Sequence, residues 1–136
     1  MALPEAVPRK LAHTRQVTYH GYQREDGKWD IEAHMRDTKP FYFEVPGEIG
    51  WQPNEPIHDM QIRLTVDDTF LIHDVAVSMN HFPHEECPSA LPPMQSLVGC
   101  RMTAGWRRAI EERLGGGVGC THLRELLFNM ATAAFQ

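Results

Sequence analysis

The chain has 136 residues, of which 42% are hydrophobic and 23% charged, and 13 Lys+Arg face 18 Asp+Glu for a formal net charge of -5. This composition excludes a wholly disordered chain, and the length predicts a single domain spanning 1–136. An acidic chain without a basic run argues against a nucleic-acid partner. No apolar run approaches the roughly 20 residues that a membrane-spanning helix needs, so no membrane association is expected.

The N-terminus and the cysteines predict the cellular compartment. Residues 1–10 contain Pro4 and Pro8 and read as a loose arm, without the basic start and apolar stretch of a signal peptide. Three cysteines are too few, and an odd number, for a secreted domain stapled by disulfides. We therefore expect a cytoplasmic protein. Its 8 histidines are many for this length and are candidates for site residues.

The first half of the chain predicts strands. Apolar and polar residues alternate over 15–22 and again over 29–35, and the Asp26-Gly27 turn signal between them predicts a hairpin. Residues 36–55 are rich in Pro, Gly and Asn and predict a long excursion with a short strand at 41–45. An excursion of this length in a small domain is typical of a segment that covers a pocket.

A second hairpin follows, with strands at 57–66 and 70–79 joined by the turn Asp67-Asp68-Thr69. One face of each strand is predicted to face inward. These inward rows are His58, Met60, Ile62, Leu64 and Val66 in the first strand, and Leu71, His73, Val75, Val77 and Met79 in the second.

After His81 the pattern becomes helical. We predict helices near 92–98, opened by Pro92-Pro93, near 103–114, with Thr103 as N-cap, and near 120–134, with a buried leucine stripe. Strands within 13–79 followed by helices predict an α+β fold, in which helices cover one face of an antiparallel sheet.

Cys120 opens the last predicted helix and faces its core side. A helix N-terminus lowers the pKa of a cysteine, and the thiolate is the form that binds metals and attacks electrophiles. A buried, inert thiol explains the position equally well. His122 is expected to point about 200° away around the helix, unless the first turn begins only after it. Cys100 has apolar neighbours and is expected to be packed in the core.

Cys87 lies in a segment between strand and helix that runs from His81 to Pro88 and contains histidines and carboxylates. Such a donor set suits zinc or iron, and a solvated acidic loop with an incidental thiol is the alternative. His58 begins an inward strand row just after Pro56, where a ligand can reach it. Asp59 points to the opposite face of an ideal strand, and only an irregular start would bring both to one site. Of the other histidines, His73 is expected inside the core, and His20 and His34 on the outward row of the first hairpin.

Two resemblances extend this reading. The segments His13–His34, Asp37–Pro40, His58–Met60, Gly105–Arg107 and Gly119–Leu123 resemble an uncharacterised bacterial family, domain of unknown function 2889. That likeness implies no activity. In addition, residues 56–136 are similar in order to the iron–sulfur cluster assembly scaffolds of the IscU/NifU class. Those scaffolds hold metal at a strand mouth, before the first helix and at the start of the last helix. The resemblance implies ligands at His58 or Asp59, Cys87 and Cys120.

The leading hypothesis is a small metal-dependent enzyme of the lyase or hydrolase type. Its metal, zinc or alternatively iron, is expected on His58, Asp59, Cys87 and Cys120, with His58 and Cys120 as the catalytic residues. A small aromatic or acyl substrate is expected under an aromatic wall formed by Phe41, Phe43 and Trp51. A non-catalytic metal or iron–sulfur carrier and a structural metal module are the alternatives. The sequence does not determine the oligomeric state.

Overall fold

The computed structural model describes residues 2–136. Residues 2–13 form neither helix nor strand and are exposed. Met1, the first residue of the arm predicted at 1–10, lies outside the described residues. In the part of the chain that is described, no helix is both long enough and apolar enough to cross a bilayer.

The strands are β1 (Thr14–Gln23), β2 (Trp29–Thr38), β3 (Phe43–Glu44), β4 (Gly50–Trp51), β5 (His58–Val66) and β6 (Ile72–His81). The predicted hairpins form one antiparallel sheet with the strand order β1-β2-β5-β6. A separate two-stranded ribbon, β3 with β4, lies in the excursion between the two hairpins. The α+β prediction is confirmed in its strands, although the predicted strand at 41–45 shrinks to two residues.

One face of the sheet is buried, and the inward-facing side chains of β2 and β5 lie opposite one another on that face. Ile31 lies opposite Leu64 and Met35 opposite Met60, and all four side chains are buried. In β6 the alternation breaks, because Val66 pairs with Ile72 and Thr65 with Asp74, which leaves the residue between them unpaired. That residue is His73, so the prediction that it faces the core is wrong: it bulges out of the ladder, is exposed, and bonds Asp67 at 2.8 Å.

Helical segments cover the buried face of the sheet. Two 3₁₀ helices, Cys87–Ala90 and Pro92–Leu97, are followed by α1 (Trp106–Leu114) and α2 (Thr121–Ala134). The second 3₁₀ helix packs on β6, and α2 packs on β1 and β2. This arrangement confirms a sheet covered on one face by C-terminal helices.

The start of α1 differs from the prediction. Gly105, not Thr103, is the N-cap, and it has the left-handed φ of 88° that a chain continuing in helical conformation from Thr103 does not adopt. The carbonyl of Thr103 instead accepts a bond from the Trp106 N–H, which closes a turn before the helix begins. Residues 103–105 therefore form a turn that precedes α1.

Trp106→Phe is expected to lower the free energy of unfolding by about 1–2 kcal/mol, because it removes a buried hydrogen bond. The indole Nε1 of this buried residue donates to the Leu127 carbonyl at 2.7 Å and ties α1 to α2. Trp29→Phe is the matched control, since its indole donates to Asp68 in an exposed position. Urea unfolding of both variants measures the difference, and equal losses in the two would contradict the assigned role of Trp106.

Candidate metal and catalytic site

A row of three side chains crosses the sheet at one end. Arg15 of β1 lies directly opposite Asp37 of β2, which lies directly opposite His58 of β5. Residues paired in this way project from the same face, and here it is the buried face that also carries Met35 and Met60. Strand pairing alone therefore assembles the row Arg15–Asp37–His58 at the edge of the core.

Asp37 is the buried centre of this row. Its carboxylate accepts bonds from Arg15 Nε and Nη2, each at 2.7 Å, and from His58 Nδ1 at 2.8 Å, and His13 Nε2 lies at 3.4 Å. Burial by itself would raise the pKa of Asp37, but the bond to Arg15, the charge of Arg15 and the bond to His58 hold it below its ordinary value. The carboxylate is therefore ionised, and its acceptor positions are filled by protein donors.

The bond to Asp37 determines the state of His58. Since an ionised carboxylate only accepts, the proton of the ring lies on Nδ1 and the lone pair on Nε2. Burial lowers the pKa of His58 by more than the negative charge of Asp37 raises it. His58 is thus a neutral imidazole that is held in one tautomer, and its Nε2 can bind a metal or accept a proton.

The start of α2 brings a second histidine to His58. The rings of His58 and His122 have centroids 4.2 Å apart and are tilted by 43°. The prediction that His122 points away is therefore wrong. Cys120 is the N-cap, with an extended ψ of 133°, so a rotation counted along an ideal helix from Cys120 does not apply to His122.

Cys120 adjoins this histidine pair, with its Sγ 3.9 Å from His122 Nδ1. Burial would raise the pKa of Cys120, but the bond to His122 and the backbone N–H groups at the start of α2 outweigh it and leave the pKa below its ordinary value. Cys87 begins the first 3₁₀ helix, and burial raises the pKa of its thiol, with a further contribution from the charge of nearby Cys120. Among residues 2–136, neither cysteine belongs to a group of three ligand atoms that lie within 4.8 Å of one another.

Asp59 lies elsewhere. It accepts a bond from His34 Nε2 at 2.7 Å and has Arg36 Nε at 3.9 Å, both from β2 side chains on the face of the sheet opposite His58. β5 pairs regularly with β2 through His58 and Asp59, and the irregularity between Asp59 and Met60 affects only its pairing with β6. The structure therefore does not bring Asp59 to His58. Cys100 is buried in the core, as predicted.

The donors that meet here suit a metal ion. One ligand atom each from Asp37, His58 and His122 lies within 4.8 Å of the other two. Because Asp37 is already bonded by Arg15 and His58, it fits the role of a carboxylate that orients a histidine ligand. The imidazoles of His58 and His122 remain as donors for an ion. The Cys120 thiol is not a member of this group, and its contact with the group is the 3.9 Å approach of Sγ to His122 Nδ1.

A cleft of about 430 Å³ opens beside His58. Phe43 of the excursion lines it and stacks on Trp51 with centroids 5.6 Å apart, whereas Trp51 itself is buried and Phe41 is exposed. His84 bonds Glu48 at 2.9 Å and so links the excursion to the segment that carries Cys87. The full lining is His13, Arg15, Asp37, Lys39, Phe43, Val45, Ile57, His58 and Pro83.

A family model described as protein of unknown function (DUF2889) matches residues 13–136, which include every residue of this site. The chain belongs to this family. Comparisons with curated proteins and with solved structures gave no significant match. The likeness to iron–sulfur assembly scaffolds therefore has no support from the comparisons, whereas the resemblance to domain of unknown function 2889 is confirmed.

The sequence analysis of this DUF2889 chain did not assign Arg15, Asp37 or His122 to the site. A signal for Asp37 was present, because it follows Ile31, Ala33 and Met35 on the inward row of β2. A carboxylate in that row has to be buried, and a buried carboxylate requires partners. Arg15 follows only once the register of β1 on β2 is known.

Asp37 is expected to make the stability of the fold depend on pH. Its pKa is lower in the folded chain than the roughly 3.9 of an unfolded aspartate, so its contribution is complete above that value and is lost as the pH falls through the folded pKa. Urea unfolding of the wild type and of Asp37→Asn from pH 7 to pH 3 measures this contribution. We expect the difference between them to shrink below about pH 4; a difference that is constant with pH would contradict the assignment.

Proposed function

We propose that the protein is a small metal-dependent enzyme whose metal is held by His58, His122 and Cys120. The observation that carries the proposal is the buried Asp37 carboxylate, which binds His58 Nδ1 at 2.8 Å while the His122 ring lies 4.2 Å from the His58 ring. Histidines that ligate metals generally donate their other N–H to a carboxylate or carbonyl. Asp37 and His58 have this arrangement.

The donor set indicates the metal. Two imidazole nitrogens and one thiolate sulfur suit zinc, with iron as the alternative. Three protein ligands leave a coordination position for water or substrate, which is the arrangement of catalytic zinc sites. When bound, the metal would polarise a carbonyl or lower the pKa of a water molecule.

Whether Cys87 is a fourth ligand determines whether the site is catalytic or structural. Addition of its thiol as a fourth ligand would close the shell, as in structural zinc sites. The cleft of about 430 Å³ beside His58 favours an open shell. A catalytic site requires such a space for its substrate, whereas a structural metal site does not. The same cleft favours an enzyme over a non-catalytic metal or iron–sulfur carrier.

The substrate that we propose is a small aromatic or acyl compound. Phe43, Val45 and Ile57 line the cleft and contribute apolar walls, and His58 lies within the same lining. Pockets that combine apolar walls with a few polar groups are typical of sites for small molecules. A reactive carbonyl bound there would adjoin His58, the proposed metal ligand that belongs to the lining.

A second candidate is catalysis without metal. Cys120 lies at the N-terminus of α2 beside His122, and its pKa is below the ordinary value. A thiol with this environment can act as a nucleophile, with a histidine as its base. In that case His58, oriented by Asp37, would act as a second general base.

Metal analysis of untagged protein tests the proposal. We expect about one zinc or iron per chain, removable by a chelator and restored by added zinc. Cys120→Ser is expected to lower this metal content, and Cys100→Ser, at the buried thiol of the core, is the matched control. Wild-type protein that neither contains nor takes up zinc or iron would overturn the metal site. Rapid alkylation of Cys120 in such protein would then favour the thiol mechanism.

A further inference from the structure

Lys39 lies at the rim of the cleft, one residue beyond the end of β2. Its Nζ is 5.2 Å from the centroid of the Phe43 ring and 5.6 Å from that of Phe41, which hold the ammonium group over aromatic faces. Among residues 2–136, no carboxylate lies within 4.0 Å of this ammonium group. Lys39 is thus a positioned cation without an anionic partner.

Among the residues that line the cleft, the cations Arg15 and Lys39 outnumber the single carboxylate, Asp37, and Glu125, which lies 3.8 Å from Arg15, is outside the lining. The negative charge of Asp37 is matched by the guanidinium of Arg15, which bonds both of its oxygens. Asp37 is the only carboxylate in the lining, so Lys39 remains uncompensated there. This local excess contrasts with the formal net charge of -5 of the whole chain. An anionic group is the complement of such a rim.

The rest of the lining is apolar. Phe43, Val45, Ile57 and Pro83 line the cleft together with Lys39 and His58. A volume of about 430 Å³ accommodates a small molecule. A ligand that satisfies both parts of the cleft needs an anionic end and a short apolar body.

We infer that the cleft binds a small carboxylic acid with an aromatic or aliphatic body, and that Lys39 recognises its carboxylate. This inference rests on the proposed function and names its substrate class. With the carboxylate on Lys39, the apolar body lies on Phe43 and Val45 and extends toward His58. Lys39 is then a residue that determines specificity for acids over their neutral analogues.

Binding of benzoate and of its neutral analogue benzamide, followed by amide NMR spectra, tests the inference. We expect benzoate to shift the resonances of Lys39, Phe43 and Val45, and benzamide to bind about five- to tenfold more weakly, because it lacks the charge that pairs with Lys39. Lys39→Gln is expected to lower benzoate affinity by a similar factor and to leave benzamide affinity unchanged. Lys28→Gln is the matched control, since Lys28 precedes β2 at the opposite end of the sheet.

The measurement is made on protein treated with EDTA and on protein loaded with zinc, so that the two proposals can fail separately. Benzoate binding that depends on Lys39 in both samples supports the inference even if no metal site exists. Equal affinities for benzoate and benzamide, no loss in Lys39→Gln, no benzoate binding, or shifts confined to other surfaces would each overturn it. Zinc uptake without benzoate binding would leave the metal proposal intact and remove only the assignment of the substrate class.

Discussion

Replacing His58 with Gln is expected to lower the affinity for zinc by more than about 100-fold. Groups that only orient a ligand typically cost about 10–100-fold when removed, and loss of the ligand itself costs more. His122→Gln is expected to have an effect of the same size, because its ring lies 4.2 Å from that of His58 and the two would share the ion. Competition with a chromophoric chelator measures both affinities.

The opposite face of the sheet offers matched controls for these variants. His34→Gln alters a histidine that is bonded to Asp59, and Asp59→Asn alters the carboxylate that the sequence had placed in the site. Both variants are expected to bind zinc like the wild type. A loss in Asp59→Asn as large as that in His58→Gln would contradict the placement of the site on the buried face.

Replacing Asp37 with Ala is expected to lower the free energy of unfolding by about 2–4 kcal/mol, because it leaves a guanidinium and a buried imidazole without their shared partner. Breaking a fully buried ion pair costs about 3–5 kcal/mol, and the lower range applies here because solvent still reaches Arg15. The side chain of Arg15 is 37% exposed, whereas that of Asp37 is 3% exposed.

Urea unfolding at pH 7 measures this loss, and Asp37→Asn separates charge from shape. The amide keeps the size of the side chain but removes the charge, so we expect a smaller loss of stability than in Asp37→Ala. Glu32→Ala is the control, because it breaks the more exposed ion pair with Arg63 on β5 and is expected to cost less than about 1 kcal/mol. Similar losses in Asp37→Ala and Glu32→Ala would contradict the central role of Asp37.

Local patterns in the sequence predicted most of the fold. The alternation over 57–66 and the Asp26-Gly27 turn specify strands and a hairpin through neighbouring residues, and the leucine stripe of 120–134 specifies a helix in the same way. The bulge at His73 was not predictable by these means. It arises from the register of β6 on β5, and a shift of one residue reverses which side chains face inward.

The candidate site was predicted only in part, because its members come from separate elements. His58 and Cys120 were identifiable from their positions at a strand start and a helix start. The contact between His58 and His122 depends on Cys120 being an extended N-cap, which the helical pattern does not reveal. The role of Asp37 depends on strand pairing with both Arg15 and His58.

X-ray absorption spectroscopy at the zinc edge, on untagged protein loaded with one equivalent of zinc, tests the metal site most directly. The site built from His58, His122 and Cys120 predicts two imidazole nitrogens at about 2.0–2.1 Å and one sulfur at about 2.3 Å, with the remaining position taken by an oxygen or nitrogen. The sulfur contribution should disappear in Cys120→Ser and persist in Cys100→Ser. A shell of oxygens alone, or a sulfur contribution that survives in Cys120→Ser, would contradict this site.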